Sequence, residues 1–214
     1  MKSALAARFP ARFLCVAAVT CFVTVAHSHA AIVTNLSDSV AGTGTIFASG
    51  PPQFYAQEFT TGAADVTLAE VIAALGNASG TFTATASLET DSGSLPSDTV
   101  LTTFTVPSIP AGSPEQETFI PNTIVTLSAN TNYWFVLAAT GDGSYEWDYT
   151  NTTHANLPNY AVNDGTGWSI GAPPGPFLIE VDATPEPSSM LLVCAAGMLC
   201  LFVALGRRFG RATL

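Results

Sequence analysis

From Ala31 to Pro187 the chain contains no lysine and no arginine. All sixteen Asp and Glu residues lie in that interval, and only Glu186 falls beyond Thr184. A fold built from this segment has no Lys or Arg salt bridges and no long charged amphipathic helices. It is left with apolar burial and with hydrogen bonds among hydroxyl, amide and backbone groups. Thr, Ser, Gly, Pro, Asn and aromatic residues dominate it, which favours short strands joined by tight turns.

The strand pattern is direct in several places. "TFTATASLE" alternates, with Phe82, Ala84, Ala86 and Leu88 on one face and Thr and Ser on the other, as a half-buried strand does. "VLTTFTVP" sets Val100, Phe104 and Val106 on one face. "YWFVLA" at Tyr133–Ala138 is apolar on both faces and reads as a central strand, with Trp134 buried. "AQEFTT", "QETFIP" and "FLIEVD" predict further strands. "NASG", "DSGSLPSD", "SIPAGSPE", "SANTN", "TGDGS" and "GAPPGP" are turn signals. "DVTLAEVIAALGN" fits helical spacing through Leu68, Val71, Ile72 and Leu75. Its β-branched Val66, Thr67, Val71 and Ile72, and the turn signals on either side, favour a strand. The whole predicts an all-β domain, an antiparallel β-sandwich or jelly roll.

The positive charges sit at the two ends. Lys2, Arg8 and Arg12 precede an uncharged run from Phe13 to Val25, and small Ser28 and Ala30 follow two apart. These are the parts of a secretory signal peptide over residues 1–30, cleaved after Ala30; cleavage after Ala31 would also fit. At the other end an uncharged segment, residues 188–206, precedes Arg207, Arg208 and Arg211. As a helix it is roughly 28 Å long, close to the ~30 Å hydrocarbon core of a bilayer. The three arginines form a cytoplasmic anchor, which leaves residues 31–184 outside. Both ends therefore predict the same export. All four cysteines, Cys15, Cys21, Cys194 and Cys200, fall in these terminal segments. The exported domain thus has no disulfide, no thiol nucleophile and no cysteine metal ligand.

Pro185, Glu186 and Pro187, an apolar span and an arginine-rich end, in that order, resemble the PEP-CTERM sorting signal of Gram-negative bacteria over residues 185–211. That resemblance implies a membrane-embedded exosortase-type sorting enzyme as partner, processing near Pro185–Pro187, and association with extracellular polysaccharide. A second resemblance runs from Phe54 to Tyr149. Phe59, Thr60, Gly62, Asp91, Gly93, Pro96, Leu101, Leu127, Tyr133, Trp134 and Val136 look like the choice-of-anchor R domain, with Ser97 where that family often has Gly. It implies a β-rich surface domain carried by various anchors.

The residues give little sign of catalysis. His154 is the single histidine between Ala31 and Thr184, and no Gly-x-Ser-x-Gly, HExxH or phosphate loop accompanies it. Glu146 and Asp148 share one strand face across Trp147, a pattern that suits a solvated face better than a glycosidase pair. The chain is not expected to be an enzyme or to need a cofactor. Calcium is the metal its oxygens would suit, through Asp142, Glu146, Asp148 and loop carbonyls. Tyr145, Trp147, Tyr149, Tyr160 and Trp168 could form a sugar-stacking platform. The alternation in "YEWDY" instead favours rings in the core and carboxylates in solvent.

Without basic residues the domain cannot neutralise phosphates, so nucleic acid is not expected as a partner. Crowded carboxylates should repel one another on folding and raise their pKa values. The chain reads as an exported, membrane-anchored precursor sorted to the envelope or extracellular matrix, with a structural or adhesive role. The alternative is a carbohydrate- or calcium-binding module of that matrix.

Overall fold

The structure is a computed structural model that describes residues 30–50, 53–171 and 175–185. The predicted signal peptide up to residue 29, Glu186, Pro187, the apolar segment 188–206 and Arg207, Arg208 and Arg211 lie outside the described residues. Within the described residues there are eleven strands and no helix. They are β1 (Ala30–Thr34), β2 (Gly42–Phe47), β3 (Phe54–Thr60), β4 (Val66–Asp91), β5 (Pro96–Thr105), β6 (Glu115–Pro121), β7 (Thr126–Leu127), β8 (Asn132–Tyr149), β9 (Tyr160–Asn163), β10 (Trp168–Ile170) and β11 (Ile179–Pro185). Each described pairing between them is antiparallel.

The path runs β1-β11-β4-β8-β3-β9-β10, with β2 added to β8 and β5, β6 and β7 added to β4. Two long strands hold this together. β4 and β8 pair from Leu75↔Trp147 to Thr90↔Tyr133. The first half of β4 lies between β11 and β6, so that Val71 faces Val181 on one side and Phe119 on the other. The last part of β8 continues alongside β2, with Gly44 opposite Trp147.

Both strands must bend to serve two sets of neighbours. The bend falls at the predicted turns "NASG" and "TGDGS", which are not hairpin turns. They lie across from each other inside the ladder, with Ser79 opposite Ser144 and Gly80 opposite Gly143. Asn77 (φ 53°), Gly80 (φ 74°) and Gly141 (φ 115°) take left-handed conformations there, and the register shifts between Gly76 and Ser79. Gly80 is also needed for space, because a Cβ would strike the carbonyl oxygen of Asp142.

The ambiguous run "DVTLAEVIAALGN" is strand. Its helix-like spacing has a local cause. Opposite β11 the register jumps from Glu70↔Asp182 to Leu68↔Ala183, so Ala69 is an extra residue. The bulge turns Leu68 onto the same face as Val71, Ala73 and Leu75, three residues away rather than two or four. A similar irregularity corrects the reading of Val100. Leu88 faces Thr102 and Glu89 faces Val100, so Leu101 is the extra residue. Val100 leaves the core face and is 50% exposed, while Phe104 stays buried.

The main core lies between the β3–β8–β4 face and the β11–β4–β6 face, in a sandwich-like arrangement. Phe135 of β8 meets Phe119 of β6 edge-on at 5.2 Å, Phe104 of β5 at 5.2 Å and Trp147 at 5.8 Å. Trp147 stacks on Phe177 at 4.4 Å and donates from its indole nitrogen to the Leu178 carbonyl. "YWFVLA" is buried throughout. Its inner residues Tyr133, Phe135 and Leu137 enter this core. Trp134 and Val136 join a smaller apolar cluster on the opposite face with Ala56 and Ala161, under Phe54, Leu95 and Trp168.

The chain enters and leaves on neighbouring strands. β1 pairs with β11, and Ala30, the predicted last residue of the signal peptide, faces Ala183. Pro185, the first residue of the predicted sorting motif, ends β11 opposite Val66.

Candidate functional site

The second apolar cluster supports a polar surface. Strand alternation in β3 sends Phe59 into the main core, where its ring lies 5.9 Å from Tyr133, and turns Ala56 and Glu58 to the outer face. β8 places Trp134 opposite Glu58 and Asn132 opposite Thr60. The loop after β4 folds back over this face. Its Asp91 Oδ1 accepts from Trp134 Nε1 at 2.9 Å, and its Oδ2 accepts from Ser94 N at 3.3 Å. The loop tightens through Ser92 N to Leu95 O at 2.8 Å, with Gly93 and Ser94 both at φ 66°.

Glu58 is fully buried, and no basic side chain lies near enough to pair with it among the described residues. Two amides satisfy it instead: Asn132 Nδ2 donates to Oε1 at 2.7 Å and Asn159 Nδ2 to Oε2 at 2.6 Å. Burial pushes the Glu58 carboxyl above its ordinary value. The Asn159 and Asn132 bonds pull the other way, and the negative charge of Asp91 adds to the rise. Buried Glu89 is handled alike. Its Oε2 accepts from Asp98 N at 3.1 Å and its Oε1 from Ser87 Oγ at 3.3 Å; burial again raises its pKa. At the rim Trp168 Nε1 donates to Asp98 Oδ1 at 3.1 Å.

Beside Glu58 opens a depression of about 460 Å³ lined by Thr90, Asp91, Asn130, Thr131, Asn132 and Tyr133. Its lining residues carry a carboxylate, two amides and three hydroxyls. Such a wall can exchange hydrogen bonds with a hydroxyl-rich ligand. It is poorly arranged for acid–base chemistry, because the Glu58 oxygens are each engaged by an amide and Asp91 by an indole.

Only part of the set that carried the second resemblance falls here. Asp91, Gly93 and Pro96 shape the loop, Trp134 and Val136 carry the outer cluster, and Phe59 and Tyr133 lie beneath. Leu127 is buried in the main core. Leu101 is the bulged, 37% exposed residue of β5. Compared with family models and with curated proteins, the sequence matches none.

Other residues singled out by the sequence take different places. His154 Nε2 lies 2.6 Å from Asp38 Oδ2, which ties the loop after β8 to the segment between β1 and β2. His154 borders a second depression, of about 320 Å³, whose wall includes Asn151, Thr153 and Tyr160. Tyr145 and Trp147 are fully buried. Tyr149 and Tyr160 contact Phe177 edge-on at 6.4 and 5.4 Å. The rings of "YEWDY" thus belong to the core, and of the five aromatics only Trp168 reaches the outer face. The carboxylates opposite them are not all solvated: Asp148 is 6% exposed. Asp142, Glu146 and Asp148 do not meet as a set of three, and among the described residues no three His, Cys, Asp or Glu side chains gather around one point. Glu58, Asn130, Asn132 and Asn159 went unnoticed in the sequence. The available signal was a charged residue inside the strand "AQEFTT", which a buried position must satisfy.

Proposed function

We propose that the protein is an exported surface domain, carried to the membrane as a precursor. An exosortase-type enzyme then sorts it into the cell envelope or extracellular matrix, where it serves a structural or adhesive role. The pairing of Ala30 with Ala183 supports this reading. It brings together the two ends of the described domain, from which the proposed membrane-directed segments extend, so a single attachment leaves the remaining surface free. The lack of Lys and Arg from Ala31 to Thr184 also suits a domain that must not adhere to anionic lipid beside it.

The test is export of the full chain in a bacterium with and without an exosortase. The expected result is a surface-accessible protein starting at Ala31, with a C-terminus shortened near Pro185–Pro187 only when the enzyme is present. Replacing Arg207, Arg208 and Arg211 by Gln should weaken anchoring and processing. A full-length protein retained in the cytoplasm, or identical processing of the triple variant, would overturn the proposal.

The depression beside Glu58 favours a second reading, a module for neutral polysaccharide. Binding of neutral glycans that is lost in Asn130→Ala would support it, and a glycan array with no hits would count against it.

A further inference from the structure

Three carboxylates in this fold are buried away from any basic side chain among the described residues: Glu58, Glu89 and Asp148. Two have an evident solution. Glu58 takes two amide donors, and Glu89 takes a backbone N–H and a hydroxyl. Asp148 has neither. It is 6% exposed, and its Oδ1 is fully enclosed with no hydrogen-bond partner among the described residues. An enclosed, unsatisfied carboxylate oxygen is costly and calls for a partner, and a bound ion is one that can supply it.

The surroundings of Asp148 are acidic and oxygen-rich. Strand alternation puts Glu146 on the same outer face, one residue beyond Trp147, and its charge acts on Asp148. Glu146 Oε2 is held by Asn77 Nδ2 at 2.7 Å. On β2, Thr43 lies opposite Asp148 and Thr45 opposite Glu146. On the other flank the segment before β6 forms a wall. It bonds the bend of β4 through Asn77 N to Gly112 O at 2.7 Å and Ala78 N to Pro110 O at 3.0 Å. A Cβ on Gly76 would come within 2.5 Å of Pro114, so this wall sits directly on the bend.

We propose that Asp148 and Glu146, with the hydroxyl of Thr45 completing the set, form a binding site for a hard divalent cation, calcium in particular. Carboxylates and hydroxyls are ligands for calcium rather than for zinc or copper. Magnesium gives up its water reluctantly and demands a stricter geometry. Two carboxylates, rather than a full cage, set the affinity in the weak range of extracellular calcium modules, about 10⁻⁴ to 10⁻³ M. The site does not depend on the reading of the protein as a sorted surface domain.

The experiment is a series of thermal melts of the full chain in detergent at pH 8. EDTA, calcium, magnesium and sodium chloride of matched ionic strength are compared. The expected result is a melting temperature that starts to rise at calcium concentrations near the dissociation constant, about 10⁻⁴ to 10⁻³ M, and climbs with the logarithm of calcium above it. Magnesium should act more weakly, and sodium chloride of matched ionic strength should not reproduce the rise. Asp148→Asn and Glu146→Gln should each abolish the calcium response. In EDTA, Asp148→Asn should melt at least as high as the parent, because it removes the enclosed charge; this shows that the variant folds. A calcium response equal in parent and variants, or one matched by sodium chloride, would mean screening only and overturn the proposal. So would a parent indifferent to calcium.

Discussion

The indole N–H of Trp134 donates to Asp91 Oδ1 at 2.9 Å, and this bond fastens the loop after β4 onto the sheet face it covers. Trp134 is fully buried. Its nitrogen has no route to water except by losing the loop. The loop in turn shields the outer apolar cluster, so one hydrogen bond couples a surface segment to a second core.

Asp91→Ala should therefore cost about 1–3 kcal/mol, the penalty of an enclosed donor left without an acceptor. Asp91→Asn retains an acceptor oxygen and should recover at least half of that loss. Urea unfolding of the two variants measures the difference. Equal losses would show that the bond contributes nothing of its own.

Removal of the ring itself is more severe. Trp134→Ala should cost about 3–5 kcal/mol, since it empties the centre of the outer cluster. A loss below roughly 1 kcal/mol is what an exposed ring would give.

Two glycines with similar backbone angles should respond differently. Gly80 (φ 74°) and Gly93 (φ 66°) both occupy the left-handed region. A Cβ on Gly93 meets nothing within 4 Å, whereas one on Gly80 strikes backbone of the partner strand. Gly93→Ala should cost about 1 kcal/mol, the conformational penalty alone. Gly80→Ala should cost about 2–3 kcal/mol more because β8 must shift. The reverse order in chemical denaturation would show that the bend of β4 is loosely packed.

The buried acids set a pH dependence. Glu58, Glu89 and Asp148 are all shifted upward, and burial is the leading cause in each. The like-charge repulsion expected from composition is present but secondary. A raised acid pKa means that the folded state holds more protons than the unfolded chain. Stability from these groups is complete below the ordinary value, 4.5 for the two glutamates, and is lost as pH rises through the raised values. Asp164 is shifted downward by its bond to Thr166, but at an exposed turn it adds little. Melting temperature should be higher at pH 5 than at pH 8, and Glu58→Gln should flatten the slope. Sodium chloride should recover part of the loss at pH 8 by screening. A melting temperature that is flat or rising between these pH values would sink this account.

Strand identity was legible wherever one rule acted alone. Phe82, Ala84, Ala86 and Leu88 alternate because that part of β4 pairs with β8 without a register shift. "YWFVLA" is apolar on both faces because it separates two clusters. The difficulties arose where one residue is inserted. Ala69 gives Leu68 and Val71 a helical spacing, and Leu101 moves Val100 off the core face. Bulges depend on a partner strand far along the chain, so a local window cannot show them. "NASG" and "TGDGS" carry residues suited to left-handed angles, which a hairpin and a bend use equally. Only the pairing of Ser79 with Ser144 makes them a bend. The outer site was the least legible part, since Glu58, Asn132 and Asn159 come from three separated segments. No spacing rule links them.

The position of β11 governs how the domain would bear a pull. β11 leads to Pro185 and is flanked on both sides, by β1 through Val33↔Val181 and by β4 through Val71↔Val181. Ladder hydrogen bonds run across the strands. A force drawn out along β11 therefore shears two rows of bonds at once, and each row shares the load. A force applied between the two chain ends would instead peel β1 from β11 one bond at a time, starting at Ala30 and Ala183. If the domain is held by its C-terminus as proposed, it would be loaded in its resistant direction, and removal of the segment before Ala31 would leave no second handle by which to unzip it.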